Sequence, residues 1–432
     1  MKKNKDFYLI AITFLVISFH VVSLIPKINN FEDELIALTS HIFFITELNF
    51  KAPFLVENID FTPALTTGFN SSIGGAIGWL IFKDFYFTRI FNFIWLLLEL
   101  SLLNYYLLKK NIINKRFFYF SILGIFCIPL WYNSLYGLGE ILSSIIFFNS
   151  LILFEKNKKL SIFLMSFTIF FGKFIIFLSL VVFLLINFKK LNLNNIVYLF
   201  TPPSLWLFII YFKKGSEGLI DYLNNFFSFL FFHGLSKKSD SISFFQEISN
   251  NIQMSEISDW SFATIIRVVV VPLIFSFLLF FKFLLDSNKK IELSIAAIIT
   301  VNYFYFYLFS YQKYLRYSQI FLIITIYYLL YSLSKEENLT IFDKFSFTLL
   351  FSFYLSSEVL ILLLILYLII NFRKKSLFML IFTVLTLNIL NLEYEARNYT
   401  VYNLNIKDCT NNLSSIECIK SYLPYEYKII NK

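Results

Sequence analysis

The sequence predicts an all-α polytopic membrane protein, and three observations carry that prediction. Of the 432 residues, 58% are hydrophobic and only 15% are charged, and the mean hydropathy is +0.70. Soluble globular domains carry about 25% charged residues, so this composition excludes that class. The apolar residues form span-length runs separated by short basic turns, as expected of a chain that crosses a bilayer repeatedly. The net charge of +9 lies mostly in those turns and indicates membrane topology, with no nucleic-acid patch.

The apolar runs predict about 13 spans, with the N-terminus in the cytoplasm and the C-terminus outside. The first run, 7–25, is uncharged and is long enough to cross a hydrocarbon core of about 30 Å. It lacks the small-residue cleavage site of a signal peptide. Ten further spans are predicted at 87–108, 117–133, 140–154, 196–212, 261–285, 291–310, 317–334, 343–356, 358–371 and 376–391.

Residues 160–187 supply the two remaining spans. As one helix they would be about 42 Å long, too long for an untilted span, and Gly172-Lys173 interrupts the run. Two short spans that meet at Lys173 fit better, because they return Lys189 and Lys190 to the side of the other basic turns. A single helix would place the later basic turns outside.

The first outer loop, 26–86, is predicted to hold two amphipathic juxtamembrane helices. Residues 34–47 place their apolar side chains on one face and suit a helix that lies on the membrane. A second short helix at 72–83 is too short to span, and its GGAIG sequence is typical of close helix packing through small residues.

The whole of 1–391 is predicted to form one transmembrane domain. Its middle outer loop covers 213–260, and a small external tail covers 392–432. Within the tail, Cys409 and Cys418 either form a short disulfide loop in an oxidising space or stay as two unpaired thiols.

Several ionisable residues fall at the predicted outer boundary of the membrane, where such groups are costly and are usually functional or paired. The first outer loop contributes Glu32, Asp33 and Glu34, and span ends contribute Arg89, Glu140, Lys173, Lys313 and Arg316. Acids and bases at one level favour a site for an anionic head group, in which cations bind phosphate and a carboxylate acts as a base. The alternative is that the acids begin a solvated helix and the cations are snorkelling anchors.

Other chemistries lack their sequence signatures. The chain contains no GxxxxGK[ST] phosphate loop, no GxSxG nucleophile elbow and no HExxH zinc motif, and its three histidines are scattered. No metal site is predicted.

The order of these features resembles the GT-C superfamily of membrane glycosyltransferases, which includes aminoarabinose transferases and protein mannosyltransferases. The Asp33-Glu34 pair resembles the superfamily's acidic motif. Four further segments resemble parts of these enzymes. Residues 65–97 resemble their juxtamembrane helix with an arginine-led second span, and 137–154 resemble their acidic fourth span. Residues 170–185 resemble their lysine between two short spans, and 313–330 resemble an arginine-led later span. The chain departs from the superfamily at Gly68-Phe69, where many members have Gly-Pro, and at Glu140, where many have aspartate.

The resemblance implies an inverting glycosyltransferase of the bacterial cytoplasmic membrane that uses a sugar on polyprenyl phosphate. It implies Asp33 as the general base, with Glu34 and Glu140 orienting the acceptor or binding a cation. Basic residues would bind the donor: Arg89, Lys173, Lys313 and Arg316. The acceptor would be a lipid, a glycan or a protein. No cofactor is implied, and the part of a divalent cation stays open.

Two other classes remain as alternatives. A polymerase or ligase for a lipid-linked glycan is disfavoured by the early acids and the modest middle loop. A lipid-linked-glycan flippase is disfavoured because the chain shows neither clear half-repeats nor obvious ionisable groups at mid-bilayer.

Overall fold

The computed structural model describes residues 68–125, 134–229, 270–285, 290–305 and 315–335, with a few isolated positions before residue 46. Of the described residues, 89% are helical and none forms a strand, which confirms the all-α prediction. Two described helices, Tyr86–Lys109 and Asn194–Phe212, are long and apolar enough to cross a membrane. The predicted span at 7–25 is described only at isolated positions. The predicted spans at 343–356, 358–371 and 376–391, most of the helix at 34–47, and the tail lie outside the described residues.

Ten α-helices lie within the described residues. They are α1 (Phe69–Phe82), α2 (Phe85–Lys109), α3 (Lys115–Gly124), α4 (Glu140–Leu153), α5 (Lys158–Phe167), α6 (Phe177–Ile186), α7 (Leu193–Phe229), α8 (Val271–Leu285), α9 (Lys290–Phe304) and α10 (Leu315–Lys335). Each predicted span in the described ranges coincides with one of these helices or with part of one. The total of about 13 spans stays a prediction, because several of them fall elsewhere.

The central helix of the described fold is α4. All fourteen of its residues are buried, and it packs against α2, α5 and α10. Phe148 of α4 contacts the rings of Phe117, Tyr327 and Tyr331. Large apolar residues occur along the whole of α4, and a helix with apolar residues on all sides is stable inside such a bundle, which accounts for its position.

The chain reverses direction at Lys173. A π-helical turn, Thr168–Gly172, ends at Lys173, whose backbone is extended with φ −136° and ψ 117°, and a 3₁₀ turn then leads into α6. At the other ends of α5 and α6, Lys158 Nζ donates a hydrogen bond to the carbonyl of Lys190 at 3.0 Å. A continuous helix would hold these two residues about 48 Å apart. The prediction of two short helices meeting at Lys173 is therefore confirmed.

Helices α1 and α2 form a closely packed antiparallel hairpin. A Cβ atom added to Gly74 would lie 2.5 Å from the carbonyl oxygen of Phe91, and one added to Gly78 would lie 2.7 Å from that of Phe87. The absence of side chains at these glycines lets the two backbones approach each other. This confirms the packing role predicted for the GGAIG sequence.

Helix α1 covers the second short helix predicted at 72–83. Its buried residues include Asn70, Ser71 and Ser72, whereas Ile81 and Phe82 near its end are exposed. Asn70 donates a hydrogen bond to Glu99 of α2, and the hydroxyl of Ser71 donates one to the carbonyl of Gly172. The position of α1 relative to the membrane stays a prediction.

Helix α7 consists of two arms joined at a kink. Gly215 has φ 71° and ψ −167°, a backbone conformation that essentially only glycine adopts. Beyond it the second arm folds back, and Trp206 Nε1 donates a hydrogen bond to the hydroxyl of Tyr222 at 3.0 Å. The described beginning of the predicted middle outer loop is therefore helical.

Candidate functional site

Three of the seven predicted site residues have described side chains, namely Arg89, Glu140 and Lys173. Arg316 lies in the first turn of α10, where only the backbone is described. Asp33, Glu34 and Lys313 lie outside the described residues. The structure therefore tests the geometry of the part of the site near α2, α4 and the Lys173 reversal.

The structure brings Glu140 and Lys173 together as a buried ion pair. Lys173 Nζ lies 3.0 Å from Glu140 Oε1, and the two side chains are only 8% and 4% exposed. Glu140 is the first residue of α4, and Lys173 is the residue at which the chain reverses. An isolated buried charge is costly, and here each residue provides a counter-charge for the other. The sequence predicted both residues but not their contact.

Three glycines make this contact sterically feasible, and we call Gly68, Gly139 and Gly172 the glycine junction. A Cβ on Gly68 would lie 2.1 Å from the carbonyl carbon of Phe171, and one on Gly172 would lie 2.1 Å from Ser143 Oγ. Gly139, at φ 89°, occupies the left-handed region that favours glycine. The junction thus joins the segments before α1, before α4 and before Lys173 without room for side chains.

Backbone hydrogen bonds hold the glycine junction together. The carbonyl of Gly172 accepts a hydrogen bond from the N–H of Gly68 at 2.5 Å and one from the hydroxyl of Ser71 at 3.3 Å. The start of α1 is therefore anchored to the residue that precedes Lys173. A displacement of α1 would be transmitted directly to the lysine of the ion pair.

Both carboxylate oxygens of Glu140 and Oγ of Ser143 lack hydrogen-bond partners within the described part of the chain, although Oε1 lies within ion-pair distance of Lys173. Glu140 and Ser143 are 3% and 1% exposed. Buried polar atoms are nearly always hydrogen-bonded, so these oxygens mark a place where polar contacts are incomplete. Both residues lie in the first turn of α4.

Arg89 lies in the second turn of α2 and is buried. Its Nη1 donates to the carbonyl of Ile25 at 3.1 Å, its guanidinium lies 5.1 Å from the centre of the Tyr136 ring, and it is 3% exposed. A snorkelling anchor keeps its charged head in water, so that interpretation does not fit Arg89. The contact with Tyr136 instead fixes the segment that leads to Glu140.

Sequence reasoning missed two polar residues of α2. Asn92 accepts a hydrogen bond from the N–H of Gly75 at 2.6 Å and donates one to the carbonyl of Leu135 at 2.9 Å. Glu99 accepts a hydrogen bond from Asn70 Nδ2 at 2.8 Å. The charge of Glu99 inside an otherwise apolar run was a usable signal, since ionisable residues within spans are rarely incidental. Nothing local distinguished Asn92.

No cluster of three or more metal-ligating His, Cys, Asp or Glu side chains occurs among the described residues. Glu140 contributes one carboxylate, which among the described residues pairs with the ammonium of Lys173. The described part of the site is suited to anions through Lys173 and Arg89.

Comparison with family models, with curated proteins and with solved structures finds no match for this chain.

Proposed function

We propose that the protein is a glycosyltransferase of the bacterial cytoplasmic membrane that moves a sugar from a polyprenyl-phosphate donor to a hydroxyl acceptor on the outer face. The observation that carries the proposal is the buried Glu140–Lys173 pair at the point where two short helices meet. Ionisable residues buried in a membrane bundle are costly and usually mark substrate sites. The ordered resemblance to GT-C enzymes supplies the reaction class.

Helix lengths support a pair recessed below the outer boundary of the membrane. The 15 residues from Lys158 to Lys173 rise about 22 Å, and the 20 residues from Arg89 to Lys109 rise about 30 Å. If the basic turns share the cytoplasmic boundary, Lys173 lies roughly 8 Å deeper than Arg89. A phosphate there would stay attached to a polyprenyl chain in the outer leaflet while its sugar faces the outside.

The proposed reaction is a single displacement. Asp33 removes the proton of the acceptor hydroxyl, and the oxygen attacks the anomeric carbon of the sugar. The bond from that carbon to the phosphate oxygen breaks, and its electron pair leaves with the polyprenyl phosphate. Attack opposite the leaving group inverts the configuration. Lys173, Lys313 and Arg316 stabilise the negative charge that grows on the phosphate, and Glu34 orients the acceptor.

Donor turnover by purified protein tests the proposal. Wild-type protein in nanodiscs is incubated with a panel of polyprenyl-phosphate hexoses and a membrane extract as the source of acceptor, and released polyprenyl phosphate is measured by mass spectrometry. We expect release with at least one sugar and a loss of about 10²–10⁴-fold in Asp33→Asn, which removes the general base. Lys173→Ala should also lose turnover.

A matched control is available at the opposite end of the same helices. Lys190 pairs with Glu155, but both side chains are partly exposed, at 25% and 47%. Lys190→Ala removes a lysine–glutamate pair without touching the proposed site and should keep turnover. Full turnover in Lys173→Ala, or none from wild-type protein with any donor, would contradict the proposal.

A second candidate function is transport of a lipid-linked glycan without chemistry. It is favoured by Glu99, which lies in the interior of α2 about 15 Å from Lys109 along the helix, near the middle of a bilayer. Ionisable residues at mid-bilayer are common along transport pathways. Movement of a fluorescent lipid-linked sugar across proteoliposomes, without release of polyprenyl phosphate, would favour this candidate.

A further inference from the structure

The proposed function requires Lys173 to bind a phosphate, yet in the structure its ammonium already contacts a carboxylate. Nζ of Lys173 and Oε1 of Glu140 are 3.0 Å apart, within a pair that is almost wholly buried. A carboxylate and a phosphate oxygen are both negative partners for an ammonium. Glu140 therefore competes with an anionic ligand for the charge of Lys173.

We propose that Lys173 exchanges partners, so that a phosphate monoester displaces Glu140 and the released carboxylate becomes available within the site. This inference rests on the proposed function. It adds that Glu140 is an internal competitor for the phosphate position and that formation of the polyprenyl-phosphate product, which is the monoester, uncovers a carboxylate.

The surroundings of Glu140 provide for the released state. Glu140 is the first residue of α4, where the N-terminal end of the helix stabilises a negative charge. Ser143 follows it by three residues, a spacing that brings side chains together on one helix face. The hydroxyl of Ser143 has no hydrogen-bond partner in the described part of the chain and can donate to the displaced carboxylate.

The surroundings of Lys173 provide for movement. Its backbone is extended between a π-helical turn and a 3₁₀ turn, so its side chain is not locked into a regular helical ridge. π-helical turns are frequent at functional sites. The four-carbon stem of lysine lets the ammonium follow a new partner over a short distance.

Charge balance favours replacement of Glu140 by the phosphate over binding of the phosphate beside an intact Glu140–Lys173 pair. The resting pair is neutral overall, and the buried lysine is never without a counter-charge. A phosphate monoester brings up to two negative charges, which makes it a stronger partner for the ammonium than a single carboxylate. The free energy gained when the phosphate binds is reduced by the cost of breaking the contact between Glu140 and Lys173. Removing that carboxylate should therefore tighten phosphate binding.

The test compares ligand affinity in wild-type protein and Glu140→Gln, a nearly isosteric variant without the charge. Purified proteins in nanodiscs are titrated with a polyprenyl monophosphate, and binding is followed by microscale thermophoresis. We expect Glu140→Gln to bind about 10-fold more tightly, corresponding to about 1.4 kcal/mol. The remote Glu155→Gln should stay close to wild type, whereas Glu140→Asp, which keeps the charge on a shorter side chain, should gain less affinity than Glu140→Gln.

Three further arms define what the site recognises. Polyprenol, which lacks the phosphate, should show no gain in Glu140→Gln. A gain with inorganic phosphate as well as with the lipid would support exchange driven by the phosphate group alone. A gain with the polyprenyl lipid but none with phosphatidic acid would support exchange and assign the source to polyprenyl carriers.

The double variant Glu140→Gln with Lys173→Ala should lose the gain, because the competition requires the lysine. Size-exclusion profiles identify variants that fail to fold, and Glu140→Asp then serves as the charged counterpart for comparison. Unchanged or weaker binding of every phosphate ligand by a folded Glu140→Gln would overturn the exchange, even if sugar transfer were normal. If Glu140→Gln bound phosphate more tightly but wild-type protein transferred no sugar, the proposed reaction would be wrong and the exchange would still be supported.

Discussion

Substitution of Gly68 by alanine probes the contact that holds the ion pair in place. Gly68 has φ −68° and ψ 156°, values that alanine adopts without strain. Any effect therefore comes from the added methyl group. That group would lie 2.1 Å from the carbonyl carbon of Phe171 and 2.4 Å from the nitrogen of Gly172. Both are backbone atoms, so no side-chain rotation relieves the clash.

The size of the effect follows from this geometry. Ordinary contact begins at 3.4 Å, so the Phe171–Gly172 backbone must move by about 1.3 Å. Overpacking of this kind costs about 1–3 kcal/mol, and the lower entropy of unfolded alanine returns about 0.4–1 kcal/mol. We expect a net loss of about 1–2 kcal/mol. Because Lys173 follows the displaced backbone, its 3.0 Å contact with Glu140 should also be disturbed.

The assay is thermal unfolding of detergent-solubilised protein, followed by fluorescence-detected size exclusion, together with polyprenyl-phosphate binding. Gly124→Ala is the matched control, because the atom nearest to its added methyl is the end of a side chain, Leu330 Cδ1 at 2.5 Å, and not a backbone atom. We expect a lower midpoint and weaker binding for Gly68→Ala and little change for the control. A Gly68→Ala protein as stable as Gly124→Ala would refute the reasoning about the glycine junction.

Four other predictions address α2, the proposed general base Asp33 and the topology. Asn92→Ala leaves a backbone N–H and a carbonyl without their present partners and should destabilise the protein by about 1–3 kcal/mol, measured by the same unfolding assay; near-neutrality would show that other groups replace the amide. Glu99→Leu removes the acceptor for Asn70 and should lower stability, whereas Glu99→Gln keeps an acceptor and should be milder; equal effects would argue that the charge matters more than this hydrogen bond. Asp33→Asn should leave phosphate binding intact while abolishing transfer, and a loss of binding would assign Asp33 another role. A reporter fused at Lys190 should read cytoplasmic, and an external signal there would invalidate the depth argued for Lys173.

Much of the helical framework could be predicted from local sequence. Apolar runs predicted α2, α4, α9 and α10, because a span-length run of apolar residues is stable only as a helix in an apolar environment. The Gly172-Lys173 interruption likewise predicted the chain reversal, since a glycine and a charge both weaken a continuous apolar helix. The glycines of α1 predicted close packing but not the helix on which they pack.

The candidate site was predicted only as separate residues. Lys173 and Glu140 are 33 positions apart in the sequence, and no local pattern states that their side chains meet. Arg89 had the sequence context of a snorkelling anchor, and only its contacts with Ile25 and Tyr136 remove that interpretation. The partners of α1 were unpredictable for the same reason, because buried serines and asparagine resemble an exposed polar face until their partners are known.

The sequence by itself determined that this protein is helical and apolar, where its helices break, and which ionisable residues fall within or beside them. These properties depend on residue type and on neighbours within a few turns, through hydropathy and backbone preference. Only the tertiary structure decided which polar groups pair, because pairing depends on segments brought together from distant parts of the chain. The neutral Glu140–Lys173 pair exists because three glycines let three such segments approach within backbone contact.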